Sequence, residues 1–527
     1  MNINAGQLPP TLGRIQIMTD EKEITRDNII SVVSQAYNDH QKNVLDEIFL
    51  MNYERGQQPI LDREKKIRPE INTLIVENNA AKIVDIHTGY CFSNPITLVQ
   101  RAKVEPGKDE KKGEDDDKKI ALLNKAFTEQ AKGTKDMELA RNLFICGVGY
   151  QMILPARKKR KNRYSPFEIL VPNPLTTFVV YSNDAYRDPV LGCTYSVCKD
   201  GSIRLTAYSE NLCFEVERGI KEAEGFVLKE TITPNVLGMI PIVEFALNDR
   251  MGIFEKAIPV LDAINLIDSD RINDIMQHVQ SLLWMHNCSV DGDGKKKLAD
   301  GDGVIMTKSS GDGKDAKITY LNDTLDEAQV QTLVDHLVET LEQITATPSW
   351  KEASGGSTTG AMQLSNGWQC LEISAKAVEQ LFIEPELMLI EAAIEIIKAD
   401  KRPYEGLKDI DISDVEVRFC RTKTYDLVSK TNALVSLINA GVDGLTAFNT
   451  VGLFTDSQQA WVDSAKIING IQKKLIQKDE PKQNNSGNVI VDANAFKDKE
   501  GKGGAENKQK DKTEESLQPS KVAGVTE

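Results

Sequence analysis

The segment 238-GMIPIVEFALNDRMGIFEKAIPVLDAINLIDSDRINDIMQHVQSLLWMHN-287 contains the transition that organises the chain. Its first eight residues, ending at Phe245, are typical of a short strand that follows a series of similar strands. From residue 253 onward, apolar residues recur every three or four positions, which predicts one long helix over 253–287 with Pro259 in an early turn. The sequence therefore predicts that a strand-rich first half gives way here to long helices.

A second long helix is predicted a short distance further along the chain. Thr324 to Glu327 has the pattern of a capping box, in which the side chains at both ends hydrogen-bond the first turn of a helix. Apolar residues continue at helical spacing to about residue 347. Two long helices are thus expected on either side of residues 288–322.

Between these two helices the triplet Gly-Asp-Gly occurs three times, beginning at Gly292, Gly301 and Gly311. A calcium-binding EF-hand loop needs side-chain oxygens at positions 1, 3 and 5 and a glutamate at position 12, and neither loop that starts at Asp291 or Asp300 supplies them. Asp-Gly pairs favour tight turns between strands. We therefore predict a small β module with short strands at 303–308 and 316–321, and no calcium site.

The remaining segments alternate between helical and strand patterns. Helices are predicted at 24–54, 72–91, 120–145, 368–398 (interrupted near Pro385), 424–440, 445–452 and 456–478. Strands are predicted in a hairpin over 146–182 and at 190–198, 203–209, 212–218, 226–234 and 413–421. Three polar stretches are predicted to lack regular structure: the charged run 105–119 and the basic cluster 157–163, as solvated loops, and the tail 479–527, as disordered.

Composition excludes several classes of protein. The 527 residues carry a formal net charge of -15. This charge argues against a protein that binds nucleic acid through many phosphate contacts. The eight cysteines include no C-x-x-C pair, so they are expected to be reduced thiols. The chain begins without a signal-peptide pattern and contains no uncharged apolar run of 18 residues, so no membrane association is expected.

Catalytic and cofactor motifs are also missing from the sequence. Residues 355–362 have the glycine spacing of a phosphate-binding loop, but Ala361 stands where the lysine must be. The five histidines show no metal-binding spacing, and no G-x-S-x-G motif occurs. We therefore predict no catalytic residue, no cofactor and no metal, and a protein that is not an enzyme.

Five segments, in order, resemble the portal proteins of tailed double-stranded DNA bacteriophages, in particular the siphophage type. They are 77-ENNAAKIVDIHTGYCFSNPITL-98, 145-ICGVGYQMIL-154, 176-TTFVVYSNDAYRDPVLGCTYS-196, 238-GMIPIVEFALNDRMGIFEKAIPVLDAINLIDSDRINDI-275 and 416-EVRFCRTKTYDLVSKTNALVSLINAGVDGLTAFNT-450. The fourth is the most specific, because Pro-Ile-Val-Glu-Phe, Gly-x-Phe-Glu and Asp-Ala-x-Asn follow one another as in that family. The resemblance covers about residues 30–470.

The resemblance implies an α+β, portal-type subunit. Its parts would be an N-terminal arm (1–23), a mixed α/β wing (24–252 and 367–423), two stem helices (253–287 and 323–350), a β-containing clip (288–322), a tunnel loop (351–366), a helical crown (424–478) and the disordered tail.

The resemblance also implies the function. Portal proteins form a ring, usually of twelve subunits, at one capsid vertex of the virion, and are assembled in the cytoplasm of the host bacterium. DNA is packaged through the ring by the terminase motor and later ejected through it, and the expected partners are the terminase large subunit, the major capsid and scaffold proteins, a head-completion adaptor and the passing duplex. An acidic channel suits a duplex that must slide without strong phosphate contacts. The alternatives are another virion structural or adaptor protein and a nucleotide-dependent DNA enzyme.

Two sets of site residues follow from the resemblance. The residues of the tunnel loop that would line the DNA channel are Ser354, Gly355, Gly356, Ser357, Thr358, Thr359, Gly360, Ala361 and Met362. The clip residues that would contact neighbouring subunits, the terminase or an adaptor are Lys295, Lys296, Lys297, Asp300, Asp302 and Asp312. The family's loop has a larger aliphatic residue after Ser-Gly, so the residue that meets DNA here stays open.

Overall fold

The computed structural model describes most of the chain up to residue 464. The described residues are 13–66, 69–101, 110–156, 165–219, 225–279, 283–286, 288–290, 307–309, 317–320, 327–349, 367–400, 407–419, 421, 427–454, 460–461 and 464. The basic cluster 157–163 and the tail 479–527 lie outside these residues, as does most of the helix predicted at 456–478.

Helices and strands both contribute substantially, which confirms the α+β class. The helices are α1 (Ile29–Glu54), α2 (Asn79–Phe92), α3 (Glu110–Glu129), α4 (Lys132–Cys146), α5 (Ile258–Val279), α6 (Glu327–Ile344), α7 (Trp368–Ala399), α8 (Leu427–Asn439) and α9 (Gly444–Val451). The strands are β1 (Ile17–Thr19), β2 (Thr97–Gln100), β3 (Val148–Pro155), β4 (Phe167–Leu170), β5 (Thr177–Ser182), β6 (Pro189–Val197), β7 (Ile203–Tyr208), β8 (Leu212–Arg218), β9 (Val227–Pro234), β10 (Ile242–Ala246), β11 (Leu283–His286), β12 (Cys288–Val290), β13 (Thr307–Ser309), β14 (Lys317–Tyr320) and β15 (Val415–Arg418).

A six-stranded sheet and α1 enclose the first hydrophobic core. The strand order is β1-β5-β6-β7-β8-β9, with β1 parallel to β5 and each later pair antiparallel. Alternate residues of the strands point to α1, so Phe178, Cys193 and Phe214 are buried together with Val33 and Tyr37 of the helix. The alternation of apolar residues predicted β6 to β9 within one residue of their observed ends, whereas β1 was not predicted.

A second, larger core lies around the three-stranded sheet β10-β3-β4. Helices α2, α4 and α7 contribute to it, and Phe382 of α7 lies 4.4 Å from Phe245 and 4.9 Å from Phe92, measured between ring centroids. Pairs of aromatic rings at such distances stabilise a core beyond the area that they bury. The middle third of α7 is therefore packed in this second core.

The turn from α4 into β3 requires glycine. Gly147 has a φ of +79°, and a Cβ atom there would lie 2.4 Å from the carbonyl oxygen of Arg250. Any other residue would clash with the backbone of the segment that leads into α5. The G-x-G-Y pattern at 147–150 therefore marks a close approach of two backbone segments.

Asparagine side chains pair with extended backbone at two places in the fold. Asn43 of α1 accepts a hydrogen bond from the N–H of Ile15 and donates one to its carbonyl oxygen, both at 2.8 Å. Asn124 of α3 forms the same pair of bonds with Leu98 of β2, at 3.1 and 2.7 Å. A carboxamide offers one donor and one acceptor, so it can stand in for a neighbouring strand.

Two helix predictions in the wing need correction. The helix predicted from residue 72 begins only at Asn79, because residues 71–78 are extended and the Asn78 side chain accepts a hydrogen bond from the N–H of Ala81 to cap the helix. The charged run 105–119, predicted to be a loop, is helical from Glu110 onward. The run is continuous with the apolar second half of α3, where Leu123 and Phe127 are buried in the core, so packing of that half stabilises a helix that extends back into the charged residues.

Two predictions for the long helices are also wrong. The helix predicted over 253–287 begins at Ile258, after a short 3-10 turn at Glu255–Ala257, and ends at Val279; residues 283–286 are the strand β11. The helix predicted to be interrupted near Pro385 is continuous from Trp368 to Ala399. Proline removes only one backbone hydrogen bond, and burial of the neighbouring Phe382 and Leu389 holds the helix together across it.

Short antiparallel ribbons follow α5, as predicted for the β module. Strand β11 pairs with β14, from Leu283 opposite Tyr320 to His286 opposite Lys317, and β12 pairs with β13. The strand predicted at 316–321 is confirmed as β14, and the one predicted at 303–308 overlaps β13 at its end. The three Gly-Asp-Gly triplets lie outside the described residues.

Helices α8 and α9 form a separate small cluster near the end of the described chain. Phe448 of α9 stacks on Phe454 at 5.2 Å and meets Trp461 edge-on at 5.6 Å, measured between ring centroids. Both helices match the predictions at 424–440 and 445–452 to within a few residues.

Candidate functional site

The two helices that the sequence assigns to a stem, α5 and α6, pack against each other. The β11–β14 ribbon follows α5 and precedes α6, so the helices run in opposite directions. Arg271 of α5 donates a 3.2 Å hydrogen bond to the side-chain oxygen of Gln331 in α6. Three further sets of interactions fix this helix pair to the rest of the fold, one along α5, one just before α5 and one at the end of α6.

The first set joins α5 to the extended segment 71–78. Asn265, Ser269 and Asn273 are fully buried and lie one helical turn apart. They accept hydrogen bonds from the N–H groups of Glu77, Ile75 and Thr73 at 2.8, 2.9 and 2.7 Å. Asn273 also donates to the carbonyl oxygen of Thr73 at 3.0 Å.

The geometry of this ladder follows from two repeats. Four residues of helix rise about 6.0 Å, whereas two residues of extended chain rise about 6.6 Å. Polar side chains at every fourth helical position can therefore meet every second residue of a strand. The stem helix thereby provides the hydrogen bonds that a neighbouring strand would otherwise supply.

Replacing Asn273 with alanine should lower the stability of the wing–stem junction. The change removes the partners of both the N–H and the carbonyl oxygen of Thr73, and we expect a loss of about 1–3 kcal/mol in the free energy of unfolding. Chemical denaturation measures it. The matched control is Asp274→Ala, because Asp274 is the exposed neighbour on the same helix. Equal losses in both variants would contradict a role for the ladder.

The second set lies just before α5. Arg14 donates to Glu255 at 2.6 Å, and neither side chain is exposed to solvent. The two carboxylate oxygens of Glu255 also accept the backbone N–H groups of Gly13 and Gly252 at 3.1 and 2.9 Å. These bonds tie the N-terminal segment to the start of the stem.

More buried charges surround this ion pair. Glu244 of β10 accepts hydrogen bonds from Arg250 at 2.7 Å, from Tyr150 at 3.0 Å and from Tyr181 at 3.1 Å. Glu47 of α1 lies near Arg14 and Arg250, but burial outweighs their attraction and raises the pKa of Glu47 to about 8. Glu47 therefore holds its proton at neutral pH, and the site does not contain an unbalanced negative charge.

The third set holds the end of α6. The ring nitrogen Nε2 of His87, in α2, lies 2.9 Å from the carbonyl oxygen of Thr345. Burial lowers the pKa of His87 to about 4, although the hydrogen bond to Thr345 opposes the shift. His87 is neutral at pH 7 and donates to the last turn of the stem helix.

Acidification should weaken this contact. A histidine whose pKa is lower in the folded state binds its proton more readily after unfolding, so stability falls as the pH drops from 6.5 to 4. For His87 the loss is up to about 3 kcal/mol. His87→Gln keeps a donor for Thr345 but cannot titrate, so the difference in unfolding free energy between the two proteins should change across this pH range. A pH-independent difference would contradict the assignment.

Apolar side chains remain exposed on the stem helices. Leu266 and Ile275 of α5 and Leu333 and Ile344 of α6 are between 41% and 51% exposed. Similar residues lie along α7: Ile373, Leu381 and Met388. Exposed apolar residues that recur along neighbouring helices are typical of a surface that another protein covers.

The site residues predicted from the sequence lie outside the part of the chain that the structure describes. These are Ser354, Gly355, Gly356, Ser357, Thr358, Thr359, Gly360, Ala361 and Met362 of the tunnel loop, and Lys295, Lys296, Lys297, Asp300, Asp302 and Asp312 of the clip. The described residues that flank the tunnel loop are close together, because a Cβ atom on Gly367 would lie 3.7 Å from the Cα atom of Pro348. Pro348 and Gly367, which flank the predicted tunnel loop, therefore lie next to each other in the fold.

Other predictions concern the whole chain. Within the described residues no group of histidine, cysteine, aspartate or glutamate side chains could hold a metal ion. No described helix is both long enough and apolar enough to span a bilayer. Among the described cysteines, three are buried, two are half-buried and one is exposed: Cys91, Cys146, Cys193, Cys198, Cys213 and Cys370, in that order.

The sequence reasoning missed the wing–stem contacts. Asn265, Ser269 and Asn273 carried a weak signal, because small polar residues at every fourth position share one face of a helix. The Arg14–Glu255 pair carried none, since its members are 241 residues apart.

Comparison with known proteins agrees with this architecture. The model of the family described as phage portal protein, SPP1 Gp6-like, matches residues 34–471. The match begins within α1 and includes every later helix and strand up to α9. No curated protein matches the chain. The chain belongs to the SPP1 Gp6-like family of phage portal proteins and is a structural component of a bacteriophage capsid.

Proposed function

We propose that the protein forms a ring of twelve subunits at one capsid vertex, with a central channel through which DNA is packaged and later ejected. The exposed apolar residues of α5 and α6 carry this proposal, because a second copy of the same two helices would cover them. In a closed ring every subunit presents one side of its stem to each neighbour. The family to which the chain belongs supports the same assembly.

The β module at the far end of the stem is the proposed docking site of the terminase large subunit. The ribbon β11–β14 extends the α5–α6 pair away from the wing contacts. Lys295 to Lys297 and the acids Asp300, Asp302 and Asp312 offer both signs of charge for such a partner. After packaging, a head-completion adaptor takes the terminase's place, while the wing contacts the major capsid and scaffold proteins.

The tunnel loop is the proposed lining of the channel. Its glycines, serines and threonines are small and adaptable, which suits a surface that moves past the DNA backbone. The described residues on either side of it, Pro348 and Gly367, lie next to each other just after Thr345, whose carbonyl oxygen is bound by His87.

Deleting Gly355 to Gly360 tests the channel lining in a phage that carries only the variant gene. We expect rings and capsids to assemble as in the wild type, because the ends of the loop already lie side by side. The amount of DNA per particle should fall severalfold. A deletion of the same length in the tail, such as residues 520–525, is the control. Full-length genomes in the loop variant would contradict the proposed lining.

A further inference from the structure

A buried cluster of one amine and two carboxyl groups lies in the wing, away from the stem contacts. Lys132 is in the first turn of α4, Asp136 follows one turn later, and Glu386 comes from α7, directly after Pro385. The three side chains are 8%, 2% and 2% exposed. None of them takes part in the contacts described above.

The three groups are arranged around the amine of Lys132. Its Nζ atom lies 3.0 Å from both carboxyl oxygens of Glu386, which brings it close to the carboxyl carbon. It also donates to Oδ1 of Asp136, which accepts a second hydrogen bond from the Gln151 side chain at 2.8 Å. The other oxygen of Asp136, Oδ2, has no hydrogen-bond partner among the described residues.

Burial raises the free energy of the cluster when all three groups are ionised. Two carboxylates and one ammonium would leave a net negative charge in a dry site. Burial raises the pKa of Glu386 to about 7, so at neutral pH a large fraction of this group is an uncharged carboxylic acid. Burial alone would lower the pKa of Lys132, but the two acids outweigh it and raise that pKa. Lys132 is therefore an ammonium at neutral pH, and a base must take one of its protons before the nitrogen can act as a nucleophile.

We propose that Lys132 and Glu386 join in an amide bond between α4 and α7, with Asp136 as the catalytic base. Reacting atoms held about 3–3.5 Å apart in a fixed geometry react as if at very high concentration. A buried acid and amine with a carboxylate beside them meet that condition, and no cofactor or oxidant is required.

The proposed reaction conserves atoms and charge. Asp136 takes one proton from the Lys132 ammonium, and the neutral amine attacks the carboxyl carbon Cδ of Glu386 to form a C–N bond. Asp136 then passes its proton to the hydroxyl of the tetrahedral carbon while it receives a second proton from the nitrogen. The C–O bond breaks and water leaves. The amide and a protonated, uncharged Asp136 remain, in place of three ionisable groups.

The surroundings supply an exit for the water. Lys132 and Glu386 lie at the wall of an open groove of about 510 Å³, whose other walls include Phe92, Pro95 and Phe127. Water can leave through the groove, whose lining mixes apolar and polar side chains. The bond would close a loop of 254 residues, and such a cross-link restricts the unfolded chain in the way that a disulfide does.

Mass spectrometry of the intact, full-length wild-type protein tests the proposal directly. We expect a mass lower by one water molecule than the mass calculated from the sequence, and a tryptic digest in which the Lys132 and Glu386 peptides are linked and Lys132 is not cleaved. The variants Lys132→Arg and Asp136→Asn should have their full calculated masses. Glu386→Gln should lose one ammonia instead of water if it reacts.

Migration on a denaturing gel distinguishes a covalent bond from a buried ion pair. The cross-linked chain should migrate faster than Lys132→Arg, because its closed loop stays compact in detergent. A wild-type protein of full calculated mass, cleaved by trypsin after Lys132, would overturn the proposal whether or not the variants fold.

Discussion

Replacing Arg14 with alanine should destabilise the protein more than any other single change at the stem. Arg14 is the cation of a fully buried ion pair, and its removal leaves the Glu255 carboxylate in a dry site with two backbone N–H groups as its partners. Breaking such a pair costs about 3–5 kcal/mol. The loss should appear as a shift of the urea midpoint and as earlier proteolysis of the N-terminal segment.

The matched control for Arg14 is the exposed pair Lys42–Asp39. Its lysine is 64% exposed, so Lys42→Ala should change the free energy of unfolding by less than about 1 kcal/mol. Comparable losses in the two variants would show that the buried pair does not fix the start of α5.

The second large effect concerns assembly. Ile275→Asp combined with Leu333→Asp should prevent ring formation, because two carboxylates would have to be buried between neighbouring stems. Each of these apolar side chains contributes up to about 1.5–3 kcal/mol when fully covered, and the substituted charge adds a desolvation cost. Sedimentation velocity should therefore find single subunits where the wild type sediments as a ring.

A control for the assembly variant is Leu45→Asp on α1. Leu45 is 54% exposed, as much as the stem residues, but lies on a wing helix. The Leu45→Asp protein should still form rings, and both variant proteins should have the same circular dichroism as the wild type. Rings that persist in the Ile275→Asp, Leu333→Asp protein would show that the subunits meet elsewhere.

Most of the strand pattern could be read from the sequence, because each strand of the six-stranded sheet buries one face. Residues 203–208, for example, alternate between buried and exposed positions as their apolar pattern predicts. Helix ends were less predictable. Residues 72–78 have helical periodicity, yet their backbone pairs with Asn265, Ser269 and Asn273, and no local signal shows that a distant helix supplies those partners.

The candidate site could be predicted only in part, because many of its contacts join residues that are far apart in the sequence. The glycines at 147 and 149 and the two stem helices were evident as local patterns. Contacts between residues far apart in sequence were not, and these include Arg14 with Glu255, His87 with Thr345 and Lys132 with Glu386. Each joins two segments that only the tertiary fold brings together. The loop and clip residues predicted to meet DNA and partners stay predictions.

Electron microscopy of the purified protein tests the central claim most directly. Class averages viewed along the symmetry axis should show a closed ring of twelve subunits with a central hole wide enough for a DNA duplex. The Ile275→Asp, Leu333→Asp protein should give no such rings. Single subunits or solid particles without a channel, from wild-type protein at the concentration found in an infected cell, would contradict the account.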